Sequence, residues 1–193
     1  KSSHLNLGSF CMNKLRECAF GKTGTKLLAE LVRQKPFLAK DLELIFFINE
    51  KIDGTCDFVP PDQNHQAIRL GLSEDFAKKI HAKLAGSTPL LLIAGLGGAN
   101  GGRQLLAAAT EAVEKGISFS CFAIMPFSYQ GTHRHDFAQQ ELCRIKKLNI
   151  PLTLFSCDDS LINMDDEASY SESMLKAAWP KLLEEIRAQI YVE

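Results

Sequence analysis

Charge of one sign is what this 193-residue chain lacks most plainly. Its 22 Lys and Arg stand against 23 Asp and Glu, leaving −1 at pH 7. That balance removes the electrostatic argument for a nucleic acid or an anionic membrane as partner. No apolar run approaches the length that spans a bilayer, which excludes direct membrane insertion as the expectation. The six cysteines include no CxxC pair. Their spacing argues against a structural zinc site, and several lie in apolar segments, as small buried residues of a reducing, cytoplasmic compartment do. No metal site is expected. His133, His135 and Asp136 form an HxHD cluster, but i and i+2 positions point apart and a third ligand would have to come from far away. No Ser/His/Asp or Cys/His arrangement stands out, so no catalytic residue is assigned. Internal repeats are absent, and 46% apolar with 23% charged residues describes an ordinary single globular domain over 1–193.

What the chain does have is glycine in one place. Leu90 to Ala94 reads as a buried strand, and it empties into a turn holding Gly95, Gly97, Gly98, Gly101 and Gly102. A helical pattern follows from Arg103 to Lys115, with Gly116 as its stop. Strand, glycine turn and helix together aim backbone N–H groups and a helix N-terminus at an anion, usually a phosphate. A Walker loop, GxxxxGK[ST], is not present here or at Gly21-Lys22-Thr23, because position 16 is Arg. A GxGxxG fingerprint fails as well, since its third glycine falls on Asn100. Two readings remain: a lysine-free phosphate loop, or glycines that merely permit a tight turn.

The rest of the chain alternates strands and helices. The pattern places a first strand over 4–7, a helix over 9–19, a break at Gly21 to Gly24 and a helix from Lys26 to Gln34 stopped by Pro36. A strand over 44–48, a loop over 51–66 and an amphipathic helix from Ser73 to Leu84 follow. Beyond the glycine turn come a strand over 117–124, a helix over 134–148, a strand over 151–155, a loop over 156–160 and a long helix over 170–191 with Pro180 inside it. Short connections between alternating elements predict an α/β, three-layer Rossmann-like domain with a mostly parallel sheet, whose ligand lies at the carboxyl ends of the strands.

The residues around the glycine turn resemble the tubulin/FtsZ superfamily. The stretch AGLGGANGGRQ at 94–104 is similar to that family's GGGTGTG-type loop. Downstream, MPFSYQGTHRHDFA at 125–138 resembles the FtsZ segment KPFNFEGKKRMAFA, with Pro126, Phe127, Gly131, Arg134, Phe137 and Ala138 matching. LTLFSCDDSL at 152–161 resembles LITIPNDKLL. At the start, Gly8 and Asn13 keep the spacing of the GGGGGN run, and an alternative register puts that loop at Gly21 to Lys26.

The resemblance implies a nucleotide-binding domain in which Gly8, Asn13, Gly95, Gly97, Gly98, Ala99, Asn100, Gly101, Arg103, Gln130, Arg134, Cys157 and Glu172 face GTP or GDP, with magnesium only alongside nucleotide. The departures bear on that implication. Ala99 and Arg103 replace signature glycines, Asn100 replaces Thr, Gln130 replaces the Glu near the ribose, and Cys157 replaces an Asn. Ala168 and Glu172 stand where the family stacks on guanine and reads its edge. The interval from Glu50 to Pro89 holds no glycine-rich run for a terminal phosphate. The chain also stops where the family's central helix ends, so the activation domain with its acidic loop is expected to be absent.

The resulting expectation is a diverged, FtsZ-like domain working through protein contacts or self-association in a cytoskeletal or cell-division-type assembly. GTP binding is expected to be weak or lost, with no hydrolysis by this chain alone. The alternatives are the GTP-binding part of a polymerising GTPase completed by a missing domain or partner subunit, and an unrelated Rossmann-like enzyme that binds a small ligand.

Overall fold

A computed structural model describes residues 15–36, 42–49, 66–70, 76–84, 89–163 and 169–190. Six parallel strands form one sheet: β1 (Arg16–Phe20), β2 (Glu43–Asn49), β3 (Gln66–Leu70), β4 (Leu90–Gly95), β5 (Phe119–Met125) and β6 (Leu152–Ser156), in the order β3-β2-β1-β4-β5-β6. The helices are α1 (Gly21–Gln34), α2 (Phe76–Leu84), α3 (Gly101–Glu114), α4 (Thr132–Lys146) and α5 (Tyr170–Ile190). Short 3-10 turns span Ser128–Gln130 and Cys157–Asn163.

Alternation along each strand builds two cores. On one face Ala19, Phe46, Leu91, Ile93, Phe122 and Ile124 pack against Leu27, Leu28 and Leu31 of α1 and Met174, Ala178, Leu182 and Ile186 of α5. On the other, Cys18, Phe20, Ile45, Leu92, Ala94 and Ala123 pack against Ile80 and Leu84 of α2, Leu105 and Ala109 of α3, and Leu142 and Ile145 of α4. This is a doubly wound, three-layer α/β domain. The long helix α5 runs through Pro180 and buries Met174, Ala178, Leu182, Leu183 and Ile186, with Trp179 partly buried beside them.

Several elements differ from the sequence reading. Residues 16–19, expected in a helix, form strand β1, and Gly21 to Gly24, expected to break a helix, open α1. The strand expected over 4–7 lies outside the described residues, as do Gly8 and Asn13. Gln66 opens an unexpected strand, β3, rather than closing a loop. Residues 157–160, expected as loop, form a 3-10 turn. The β1 error has a physical cause. Arg16 and Glu17 are both buried, and two charges in a five-residue strand mask its apolar character. Arg16 explains itself, because its guanidinium donates to the carbonyls of Lys83 (3.0 Å) and Leu84 (3.3 Å), completing the last turn of α2. Glu17 has no such partner. Both carboxyl oxygens are buried without a hydrogen bond, and burial pushes the group up to about 8.

Candidate functional site

The strand order reverses between β1 and β4. In open parallel sheets a crevice opens at the carboxyl ends of the strands on either side of such a reversal. Here α1 leaves β1 at Gly21 with φ +65°, and the turn Gly95 to Asn100 leaves β4 and enters α3. The two helix starts touch. A methyl group on Gly21 would stand 2.9 Å from the Gly101 Cα. Neither helix has a side-chain cap at its N-cap residue, Phe20 or Asn100, and neither has an acid in its first turn. Two sets of first-turn N–H groups therefore meet at one end of the sheet with their positive dipole ends side by side.

The glycines of the turn divide by what surrounds them. A Cβ at Gly95 would stand 2.6 Å from Thr23 Cβ, and one at Gly101 2.6 Å from the Gly95 carbonyl. Gly97, at φ +74°, would meet the Arg134 carbonyl at 2.6 Å. Gly102 makes room for the Glu141 carboxylate of α4. Close approach within the chain accounts for all four. Gly98 alone among the turn glycines faces open space, and Ala99 and Asn100 beside it are exposed.

Glu141 is the residue that sequence reasoning missed at this turn. It is 3% exposed, and Oε2 accepts the Gly97 N–H at 2.8 Å, while Oε1 is buried without a partner. Burial raises its pKa, against the opposing Gly97 hydrogen bond and the charges of Arg103 and Arg144. It anchors the turn through α4. Arg103 is exposed, with its guanidinium 5.7 Å from the centre of the Phe137 ring.

Beside the turn lies a cleft of about 400 Å³. Lys22, Thr23 and Lys26 of α1 form one wall, and Ser171 and Met174 of α5 another. Leu96 and the segment from Ile124 to Phe127 make an apolar floor, and Tyr129, Gln130, Arg134 and Cys157 complete the lining. Tyr129 stacks on Phe127 with ring centres 5.1 Å apart, and Ser128 N–H donates to Asp158 at 2.9 Å, tying the β5 and β6 turns together. Three cations and no acid line the cleft among the described residues of a chain whose net charge is −1. Such a lining attracts an anion.

Of the residues singled out in the sequence, Gln130, Arg134 and Cys157 meet in this cleft. Gly95, Gly97, Gly98, Ala99, Asn100 and Gly101 form the adjoining turn, and none of them lines it. Glu172 does not line it either. Its carboxylate accepts the Ser169 N–H (3.1 Å) and hydroxyl (2.8 Å), and Ser169 Oγ accepts the Glu172 N–H (3.3 Å), a reciprocal capping box that starts α5. The Ser169 hydroxyl bond holds the Glu172 carboxyl below its usual range. Ala168 lies outside the described residues. Lys22 and Lys26 were legible only through the alternative loop register at Gly21 to Lys26.

Cys157 lines the cleft, yet it is 5% exposed, and burial pushes its thiol up to about 12. Cys143 is exposed on α4. Brief alkylation at pH 8, read by peptide mass spectrometry, should label Cys143 at least tenfold faster than Cys157, because the thiolate is the reacting form. Equal labelling would show that the cleft floor is open. Among the described residues no three His, Cys, Asp or Glu side chains gather where they could hold a metal ion, and no helix is long and apolar enough to cross a membrane.

The parallel order and the reversal define a doubly wound, Rossmann-like α/β fold. More particularly, it is the tubulin/FtsZ-like fold. CetZ from Methanosaeta thermophila superposes with a TM-score of 0.73 at 16% identity, over 94% of this chain and 56% of that one. CetZ2 from Haloferax volcanii, a GTPγS-bound protofilament, gives 0.71 at 15% identity over 93% and 60%. An empty FtsZ dimer from M. jannaschii gives 0.65 at 16% over 92% and 54%. At these identities the likeness is one of fold, and this chain spans between half and two thirds of the length of each. No family model and no curated protein matches the sequence.

Proposed function

We propose that this chain is a diverged tubulin/FtsZ-like domain that works through protein contacts in a filament-type assembly. It binds a guanine nucleotide weakly and does not hydrolyse it alone. The observation that carries the reading is the cationic cleft beside two uncapped helix starts at the strand-order reversal. The residues fit a nucleoside phosphate: Lys22, Lys26 and Arg134 for charge, Gln130 and Ser171 for hydrogen bonds, and the Leu96–Ile124–Phe127 floor for an apolar face. Magnesium would accompany the nucleotide.

Weak affinity follows from the base end. Guanine recognition needs an acceptor for its N1–H and N2–H groups, and Glu172 lies outside the cleft lining with Oε2 held by Ser169. Losing a charged acceptor of this kind costs about 1.5–3 kcal/mol, one to two decades in Kd. Self-association is supported by the company of the fold, which includes the CetZ2 protofilament and a PhuZ201 filament. A single domain over 1–193, in the cytoplasm, belongs to the same proposal.

Sedimentation with and without GTP, together with phosphate release, tests it. The expected result is pelleting whose extent does not depend on GTP hydrolysis and phosphate release at the buffer rate. Rapid phosphate release by the isolated chain would overturn the non-hydrolysing reading. A strictly monomeric chain at high concentration would overturn the assembly reading.

A further inference from the structure

We infer that the anion subsite of this cleft has moved from the glycine turn to a cationic cluster of Lys22, Lys26 and Arg134, taking a di- or triphosphate group by side-chain charge. The inference rests on the nucleotide reading above and assigns its phosphate end. Three observations carry it. First, Lys22 and Lys26 from α1 and Arg134 from α4 line one cleft, and none of them has a hydrogen bond or ion pair with another described residue. No acid lines the cleft among the described residues. Second, residues Gly97 to Gly101 do not line it, and the four turn glycines on either side of Gly98 are required by close packing, so their presence does not speak for a phosphate. Third, the Gly97 N–H, a donor that a phosphate on the turn would use, is already given to Glu141, whose buried carboxylate also sets a negative charge behind the turn.

A lysine ammonium is a compact point charge on a flexible stem, able to follow a phosphate without a fixed geometry. Recognition of this kind carries a steeper salt dependence than recognition by backbone N–H groups. It also follows the charge of the ligand: diphosphate above monophosphate above nucleoside.

The test is calorimetric titration of GDP, GMP, guanosine and inorganic pyrophosphate into the wild-type chain, Lys22→Ala/Lys26→Ala, and Gly98→Val. Gly98→Val fills the open space above the turn, where a turn-bound phosphate would sit. Lys22→Gln/Lys26→Gln, which keeps the stem length, and a melting curve for each variant separate charge from folding. The expected results are at least a tenfold loss of GDP and pyrophosphate affinity in both double variants, less than a twofold change in Gly98→Val, and a steep fall in wild-type affinity from 50 to 300 mM salt. GDP binding that is lost in Gly98→Val and kept in the lysine variants would overturn the inference while leaving the nucleotide reading intact. No heat from GDP or pyrophosphate at millimolar concentration in the wild type would overturn both.

Discussion

Glu17→Leu should stabilise the chain strongly at pH 8 and much less at pH 4, where only the unpaired neutral carboxyl is replaced. Glu17 sits in β1 between β2 and β4, opposite Leu44 and Leu91, fully buried and without a hydrogen-bond partner for either oxygen. Burial disfavours its charged form and carries the carboxyl from 4.5 to about 8. The folded state therefore holds this proton more tightly than the unfolded chain does. Its contribution is fully present below the unfolded value near 4.5 and is lost as pH rises toward 8. The loss across that window is roughly 4 kcal/mol, a large part of the 5–15 kcal/mol that holds an ordinary domain together. Leucine removes the titration and fills the site with carbon. Thermal melts of the wild type should fall by roughly 10 °C between pH 5 and pH 8 from this group, with the variant much flatter. Parallel pH profiles for the two proteins would mean that Glu17 is paired or hydrated. Glu141 adds a smaller slope of the same sign, since burial raises it too.

Gly24→Ala should cost roughly 3 kcal/mol, against the gain of about 1 kcal/mol that helix propensity alone assigns to the change. Gly24 is in the first turn of α1, where the helix rests on the central strand β4. An added Cβ would stand 2.6 Å from the Ile93 carbonyl oxygen and 3.2 Å from the Ala94 Cα. Both are backbone atoms of fully buried residues, so nothing cheap moves aside. Gly98→Ala is the control, because its Cβ meets nothing within 4 Å, and its stability should stay within about 0.5 kcal/mol of the wild type. Urea unfolding of the two variants reads the contrast. Equal stability would mean that α1 is not seated on β4, and the reading of the glycines as packing residues would fall with it. The same seat holds Lys22 and Lys26 at the cleft, so α1 and the anion subsite stand on one contact.

The second half of the fold was legible in the chain itself. From β4 onward, apolar runs alternate with helical periodicity and are punctuated by Gly116, Pro126 and Pro151, and each element lies within about two residues of its expected place. The first third was not. Arg16 and Glu17 disguise β1, and in Gly21-Lys22-Thr23-Gly24 two glycines and a threonine of low helix propensity join a positive φ at Gly21, so tertiary seating rather than propensity makes it helical. Strand β3, QAIRL, is five residues long without strong punctuation. The site divides in the same way. Gln130, Arg134 and Cys157 came from a resemblance in the well-read half. Lys22 and Lys26 were hidden in the misread start of α1, and Glu141 gave no local signal because its partner is a backbone N–H far along the chain.

The most direct measurement is a crystal structure of this chain soaked with GDP at millimolar concentration. The account expects difference density in the cleft, with the diphosphate against Lys22, Lys26 and Arg134 and the sugar toward Gln130. Density seated on the N–H groups of Gly98 to Gly101, or a cleft left empty while GDP binds elsewhere, would contradict it.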